Sequence, residues 1–354
     1  MSRPYTTIVW GTGGVGRRAI RHVVAHPDLE LVGVYVTNPA KVGVDAATLA
    51  GLDQPTGVFA TDSVDSITDM TADCVLHLPL PSAQVGDDPL YDERMLCQLL
   101  ASGKNVVTTV GYVYPKAYGD ESVARLEQAC RSGQSTMHGT GLNPGWMGEL
   151  LPLAMSGLSN RIDRVYVLES SVFDRYPSPD VVLGMMGFGM APTEYERHTA
   201  RYKRWLTGLF SESVWMIADG LAAALDRIDT TTDVELTDSD LTIAAGPILR
   251  GTVAAQRWRW TGIVGDRPLI ELEAVYRAVP GIAPEWAKPG FACRIDGSPS
   301  MNFEAEHWIS SGLGGTAAHA VNSVSVVCDA PPGIRTFLDL PLVTGRHTWR
   351  RETA

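Results

Sequence analysis

Thr6-Thr7-Ile8-Val9-Trp10-Gly11-Thr12-Gly13-Gly14-Val15-Gly16-Arg17-Arg18-Ala19-Ile20 decides how the rest of the chain is read. An apolar run rich in β-branched residues ends in three glycines at GxGxxG spacing, and Ala19, Ile20, Val23 and Val24 continue with helical period. The stretch reads as strand, tight turn and helix. Gly11 takes the turn's unusual φ, Gly13 lets the backbone approach a pyrophosphate, and Gly16 brings the helix close to the strand. Phosphates would sit at the helix N-terminus, where unpaired amides and the positive dipole end stabilise negative charge. A bare GxGxxG also occurs as a plain structural turn. This one follows a strand, opens a helix and precedes a second strand at the right distance, which is the setting of a dinucleotide site.

The second strand, Leu31-Val32-Gly33-Val34-Tyr35-Val36, bears on the cofactor. An NAD site carries an acid about 20 residues past the glycine turn for the ribose 2′-hydroxyl, whereas an NADP site has groups that accept a 2′-phosphate. Here the strand runs into Thr37-Asn38-Pro39-Ala40-Lys41, with Asp45 the nearest following acid and Arg17 beside the turn. The expectation is NADP over NAD, against the plainer reading of Lys41 and Arg17 as surface charges.

Three further units follow the same logic. Asp73-Cys74-Val75-Leu76-His77-Leu78 is a strand stopped by Pro79-Leu80-Pro81, and its end places Leu78 and Pro79 near the cofactor ribose. His77, inside that strand, reads as a packed core histidine. Asn105-Val106-Val107-Thr108-Thr109 gives another strand, with Val110-Gly111-Tyr112-Val113-Tyr114-Pro115 a loop at the same sheet edge. In Ser135-Thr136-Met137-His138-Gly139-Thr140-Gly141-Leu142-Asn143-Pro144-Gly145-Trp146, Asn143 is a suitable N-cap and Pro144 a suitable first helical residue, so a helix is expected to begin there. These units predict a doubly wound parallel α/β domain over residues 1–143.

From 144 to 311 the pattern changes to a second, α+β domain. Residues 162–172 read as a strand, and the Met-rich stretch Gly184-Met185-Met186-Gly187-Phe188-Gly189 either lines an adaptable pocket or fills a core gap. Helix is expected over 193–225, with Gly208 a candidate break. From Thr252 the period is two: Val253, Ala255, Arg257 and Arg259 share one face, and Ala254, Gln256, Trp258 and Trp260 the other. Alternation resumes around Ile270, Leu272, Ala274 and Tyr276 and again in 291–295 and 301–306, predicting a mostly antiparallel open sheet with one wet face. Gly312-Leu313-Gly314-Gly315 then precedes an apolar helix expected over 316–327. It should be buried and, within a segment 312–343, return to the first domain with Asn322 as its polar group facing the crevice. Residues 344–354 read as a loose tail.

The 354 residues carry a net charge of −11, which argues against a nucleic-acid surface. No apolar run reaches the roughly 18 residues of a membrane span, and no signal-peptide pattern opens the chain, so a cytoplasmic protein is expected. Five widely spaced cysteines without a CxxC suggest neither a disulfide framework nor a metal site.

WGTGGVG at 10–16, VGVYVTNPAKVGVDAATLAG at 32–51, NVVTTVGYVYP at 105–115, GTGLNPGW at 139–146 and AVNSVSVVCDAPPGIRTFLDLP at 320–341 resemble the dihydrodipicolinate reductase-like NAD(P)-dependent oxidoreductases. The branch is that of 2,4-diaminopentanoate dehydrogenase and the native amine dehydrogenases, and the resemblance spans most of the chain. It implies a Rossmann domain, an open-sheet domain with substrate contacts and a homodimer interface, and NAD(P)H delivering hydride to a C=N carbon. Cofactor contacts carry onto Gly11, Thr12, Gly13, Gly14, Val15, Gly16, Arg17, Thr37, Asn38, Lys41, Leu78, Pro79, Thr109, Val110, Gly111, Asn143, Pro144 and Asn322. Where the amine dehydrogenases have a glutamate for proton traffic, this chain has Val110-Gly111-Tyr112-Val113-Tyr114. The paired histidines and basic motif of dihydrodipicolinate reductase are also absent.

A preformed iminium needs no acid; a ketone or neutral imine benefits from one. Tyr112 and His138 are the candidate proton donors, with Tyr114 behind them. Tyr112 and Lys116 have tyrosine–lysine spacing, but Pro115 between them opposes the helix that spacing needs. Glu149, Glu169, Asp174, His198, His307 and His319 lack any local signature and read chiefly as caps, surface charges or satisfied buried groups. Trp146, Met186 and Phe188 are the expected substrate-pocket residues, suited to an apolar imine, amine or ketone. The expected function is an NADPH-dependent imine reductase or amine dehydrogenase; the alternatives are a carbonyl reductase and a catalytically silent NADP-binding protein.

Overall fold

The computed structural model describes residues 3–82, 88–305 and 312–348. The chain divides into two compact units, Met1–Trp146 with Gly312–Ala354, and Met147–Ser311.

The first unit is a parallel sheet of β1 (Tyr5–Trp10), β2 (Leu29–Tyr35), β3 (Ala60–Thr61), β4 (Cys74–His77), β5 (Asn105–Thr108) and β6 (Thr136–Gly139), completed by Gly333–Ile334 from the C-terminal region. The order is Gly333–Ile334, β6, β5, β4, β1, β2, β3, so the direction of winding reverses between β1 and β4. Ligands of doubly wound sheets bind at such a reversal, outside the strands' carboxyl ends. Alternation along β1 builds both layers. Val9 joins Ala19, Ile20 and Val23 of the helix Gly14–Ala25 on one face, while Ile8 and Trp10 join Leu96, Leu99 and Leu126 on the other.

The returning helix spans Gly312–Asn322 and thus starts before the expected Thr316. Ala317, Ala320 and Val321 seal it onto the layer of Val9 and Ile20. It is not continuous to 327: Ser323 separates it from the helix Val324–Cys328, and the Ser323 hydroxyl donates to the His319 carbonyl at 2.7 Å. Such back-bonding competes with the helical ladder.

The second unit is a six-stranded mixed sheet of β7 (Arg161–Val172), β8 (Arg227–Leu236), the short hairpin pair β9 (Leu241–Ile243) and β10 (Gly246–Ile248), which stands apart, β11 (Val253–Val264), β12 (Arg267–Arg277), β13 (Gly290–Ser298) and β14 (Met301–Ala305). Its order is β14-β13-β7-β12-β11-β8, antiparallel except for the central β7–β12 pair. Trp258 and Trp260 pack on one face against the helix Ala200–Gly220, the Trp260 ring centroid lying 4.6 Å from that of Phe210. That helix runs unbroken through Gly208. A mid-helix glycine costs about 1 kcal/mol relative to alanine, less than the burial of Leu206, Leu209 and Phe210 supplies. The break falls instead at Thr199, between Pro192–His198 and Ala200–Gly220. Strand β8 is rich in β-branched residues, Ile228, Thr230, Thr231, Thr232 and Val234, but has no run of alternating apolar residues, so the period-two pattern did not mark it.

Candidate cofactor and active site

The glycine turn owes its shape to packing at two positions and not at the third. Gly11 has φ +103, and a Cβ there would lie 2.9 Å from the Leu78 carbonyl oxygen; a Cβ on Gly16 would lie 1.9 Å from the Gly11 carbonyl oxygen. At Gly13, where φ is −75, a Cβ would meet nothing within 4 Å. The protein's own packing therefore demands glycine at 11 and 16, while at 13 it leaves open space. Gly14 faces Leu313 of the returning helix, whose Cδ1 would be 2.9 Å from an added Cβ. Nothing in the local sequence pattern singled out Leu313.

Thr37, Asn38 and Arg17 are exposed, and Asn38 caps the turn Pro39–Lys41 by accepting from the Ala40 amide at 3.0 Å. That turn brings Lys41 back to the glycine loop, where its Nζ donates to the Thr12 hydroxyl at 3.1 Å and the Thr12 carbonyl at 3.3 Å. Asp45, the nearest acid, is committed elsewhere. Its carboxylate accepts from the amides of Ala47, Thr56 and Gly57 and from the Thr56 hydroxyl, and these bonds, with Ala47's the strongest influence, hold its pKa below the usual value. The turn after β2 thus brings a cation to the glycine loop, while the carboxylate of Asp45 is engaged elsewhere.

The neighbouring loops lie where the strand ends place them. Leu78 is buried, with its amide donating to the Trp10 carbonyl, and Pro79 is half-buried. The Thr109 amide donates to the His77 carbonyl, and Val110 and Gly111 are buried behind it. Asn143 and Pro144 differ from expectation: neither starts a helix. Their backbones are extended, at φ −156, ψ 109 and φ −61, ψ 151, joined by a cis peptide bond, and Gly145 follows at φ 135. The helical path resumes only beyond them, with Trp146 half-buried and its amide donating to the Gly141 carbonyl. Asn322 is half-buried, and its Oδ1 is sealed from solvent without a hydrogen-bond partner, an acceptor suited to an amide donor.

Tyr112 is 8% exposed and takes a left-handed φ of 58, rare for a residue with a side chain. Its carbonyl explains Gly139, where a Cβ would lie 2.2 Å from it. With that backbone and Pro115 opening the separate turn Pro115–Tyr118, no helix connects Tyr112 to Lys116. His138 is fully buried, its Nδ1 2.8 Å from the Arg335 carbonyl and its ring edge-on to Phe337. A carbonyl only accepts, so Nδ1 carries the proton. Burial lowers the His138 pKa to about 4, against the opposing pull of the Arg335 carbonyl. His319 behaves alike: Nδ1 lies 2.7 Å from the Thr140 hydroxyl, and burial, with His138 nearby, lowers its pKa to about 4. His77 packs beneath Trp10 with Nδ1 3.0 Å from the Thr108 hydroxyl, and burial takes its pKa to about 3.

In the second unit, Met186 and Phe188 are buried in the core, at 2% and 1% exposure. The partly buried Phe173 and Tyr176 flank them, with Phe173 edge-on to Phe188 at 6.3 Å. Glu149 is buried and accepts from the Ser213 hydroxyl, Glu169 is half-buried, and His198 Nε2 lies 2.7 Å from the Gly184 carbonyl. His307 lies outside the described residues.

Residues 148–353 match the 2,4-diaminopentanoate dehydrogenase C-terminal domain, and residues 6–86 match the dihydrodipicolinate reductase N-terminus. Among curated proteins, the chain is 33% identical to an amine dehydrogenase of Streptomyces virginiae, over 95% of this chain and 96% of that one. It is 25% identical to the 2,4-diaminopentanoate dehydrogenase of Acetoanaerobium sticklandii, over 95% and 93%. The fold is similar to that of an amine dehydrogenase from Mycobacterium smegmatis, with TM-score 0.80, 20% identity and coverage of 96% and 97%.

Proposed function

Because the chain belongs to the family of 2,4-diaminopentanoate dehydrogenase and the amine dehydrogenases, an NAD(P)-dependent oxidoreductase family, we propose that it uses NADPH to reduce a C=N bond, as an imine reductase or amine dehydrogenase. The observation that carries the choice of cofactor is Lys41, held against Thr12 beside the glycine turn while Asp45 is fully engaged in capping.

The amides following Gly13 would hold the pyrophosphate, Lys41 and Arg17 the 2′-phosphate, Leu78 and Pro79 the ribose, and Asn322 Oδ1 the carboxamide donor. Thr109, Val110, Gly111, Asn143 and Pro144 would frame the ring. The reduced nicotinamide supplies the hydride. The chain's part is to position it and to manage one proton. An iminium arrives already protonated at nitrogen, so the carboxylate-free loop 110–114 is sufficient for it. For a neutral imine the donor we assign is Tyr112, not His138. A histidine with its pKa near 4 is neutral at pH 7, and its Nδ1 proton is already given to Arg335. Tyr112 equally favours a second reading, ketone reduction without ammonia.

We further propose a homodimer through the sheet face opposite the long helix. That face interleaves both charge signs, with Arg164 paired to Glu271 at 2.7 Å and Arg257 and Arg259 both paired to Asp233 at 2.8 Å, so a second copy can complement it.

The test is purified protein with NADPH and a panel of cyclic imines, and of ketones with and without ammonia, followed by loss of reduced-nicotinamide absorbance. Turnover of C=N substrates is expected. Tight NADPH binding with no turnover of any member would instead favour a silent cofactor-binding protein.

A further inference from the structure

Along β7 the side chains facing the long helix begin as an apolar row, Val165 and Val167, which are 1% and 0% exposed. Alternation puts Glu169, Ser171 and Phe173 on the same face, so a carboxylate continues a core row. The register surrounds it. Ala274 and Phe291 pair with Glu169 on either side, and Tyr276 pairs with Ser171. Tyr202 of Ala200–Gly220 packs edge-on to Trp258, at 6.0 Å, on this face. The Phe173 ring stands edge-on to Tyr276 at 5.7 Å and lies 5.8 Å from Tyr176. Glu169 itself is half-buried and accepts from the Ser171 hydroxyl at 3.3 Å. Burial raises the pKa of both Tyr202 and Tyr276, and the Glu169 charge adds to the rise, so both phenols lie within its electrostatic reach.

A carboxylate bordered by aromatic rings suits an ammonium. The carboxylate attracts the charge, and ring faces attract the cation while covering its hydrocarbon part. A neutral carbonyl compound gains nothing from the carboxylate. We propose that Glu169, with Tyr202, Tyr276 and Phe173, recognises the positively charged nitrogen of the substrate: a protonated amine in one direction, an iminium in the other. Specificity then follows from charge: alkyl amines bind and neutral alcohols of the same shape do not. The inference rests on the C=N reading above, yet binding tests it independently of turnover.

The experiment uses the full chain saturated with NADP and titrates n-butyl-, n-hexyl- and cyclohexylammonium against the matching alcohols. Calorimetry reads affinity, supported by the fluorescence of Trp205, which stacks on Tyr202 at 5.9 Å. The expected result is that at least one ammonium binds more than about tenfold tighter than its alcohol. Glu169→Gln removes that preference while leaving thermal stability and NADP affinity unchanged, and Glu169→Asp, which keeps the charge, retains part of it. The proposal is overturned if no ammonium binds better than its alcohol, or if Glu169→Gln keeps the full preference. A chain that binds ammonium through Glu169 yet reduces no C=N compound would overturn the proposed reaction and leave the recognition site standing.

Discussion

Gly13→Ala separates the cofactor role of the glycine turn from its structural role. The new methyl has open space, since nothing lies within 4 Å of the Cβ position, and φ of −75 is ordinary for alanine. A stiffer unfolded chain favours the variant by about 0.4 to 1 kcal/mol, while alanine is a poorer helix N-cap than glycine. Net stability without nucleotide should therefore stay within about 0.5 kcal/mol of the parent. The control is Gly16→Ala, whose methyl would sit 1.9 Å from the Gly11 carbonyl oxygen and 2.7 Å from its carbon. That overlap forces the turn open and should cost about 3 kcal/mol. In cofactor binding, Gly13→Ala pushes the pyrophosphate off the helix amides. Loss of one charged hydrogen bond, about 1.5 to 3 kcal/mol, weakens NADPH roughly 10- to 150-fold. Thermal unfolding without nucleotide and calorimetric titration with NADPH read the two effects. A Gly13→Ala protein that unfolds normally and binds NADPH with parental affinity refutes the assignment of the turn.

Lys41→Ala should weaken NADPH by about 1.5 to 3 kcal/mol, the scale of a charge-assisted bond to phosphate, and leave NADH nearly untouched; equal losses in calorimetry would contradict NADP selection. Acid stability follows from His77, His138 and His319. Their folded-state pKa values, about 3, 4 and 4, lie below the unfolded value of about 6.5, so the unfolded chain takes up protons first. Their stabilising contribution is complete above about pH 6.5, falls by about 2 kcal/mol per histidine at pH 5, and is lost as pH drops through the folded values; denaturant unfolding that is flat from pH 7 to 5 would contradict this. Arg277 is fully buried, and its guanidinium donates to the carbonyls of Ile282, Ala283 and Ala287 and to the Ser170 hydroxyl. Arg277→Leu should destabilise by about 3 kcal/mol or more, because those acceptors are left unpaired in the interior, and urea unfolding within 1 kcal/mol of the parent would be the contrary result.

The first unit was legible because its signals are local. Gly11, Gly13 and Gly16 report a backbone shape, and the strand ends at Leu78 and Thr109 follow from short apolar runs stopped by turn residues. The expected periodicity of β11 likewise follows from the tryptophans at 258 and 260, which are both buried. What escaped the sequence depended on partners distant in the chain. Gly208 reads as a breaker until the burial of Leu206 and Phe210 is known, and Thr199, with an unremarkable sequence signature, makes the actual break. Asn143 and Pro144 carry the composition of a helix start, yet the chain extends through them. The returning helix spans Gly312–Asn322 with Leu313 beside Gly14, a pairing no periodicity encodes. Glu169 has no motif around it; only the strand register puts it among aromatic rings.

Transfer of label from the cofactor to the substrate carbon tests the central claim most directly. With NADPH carrying deuterium at both C4 positions and an imine that the enzyme consumes, the product amine should hold one deuterium on the carbon of the former C=N bond for each cofactor oxidised. An amine formed without deuterium on that carbon, or cofactor oxidised with the imine left intact, would contradict it.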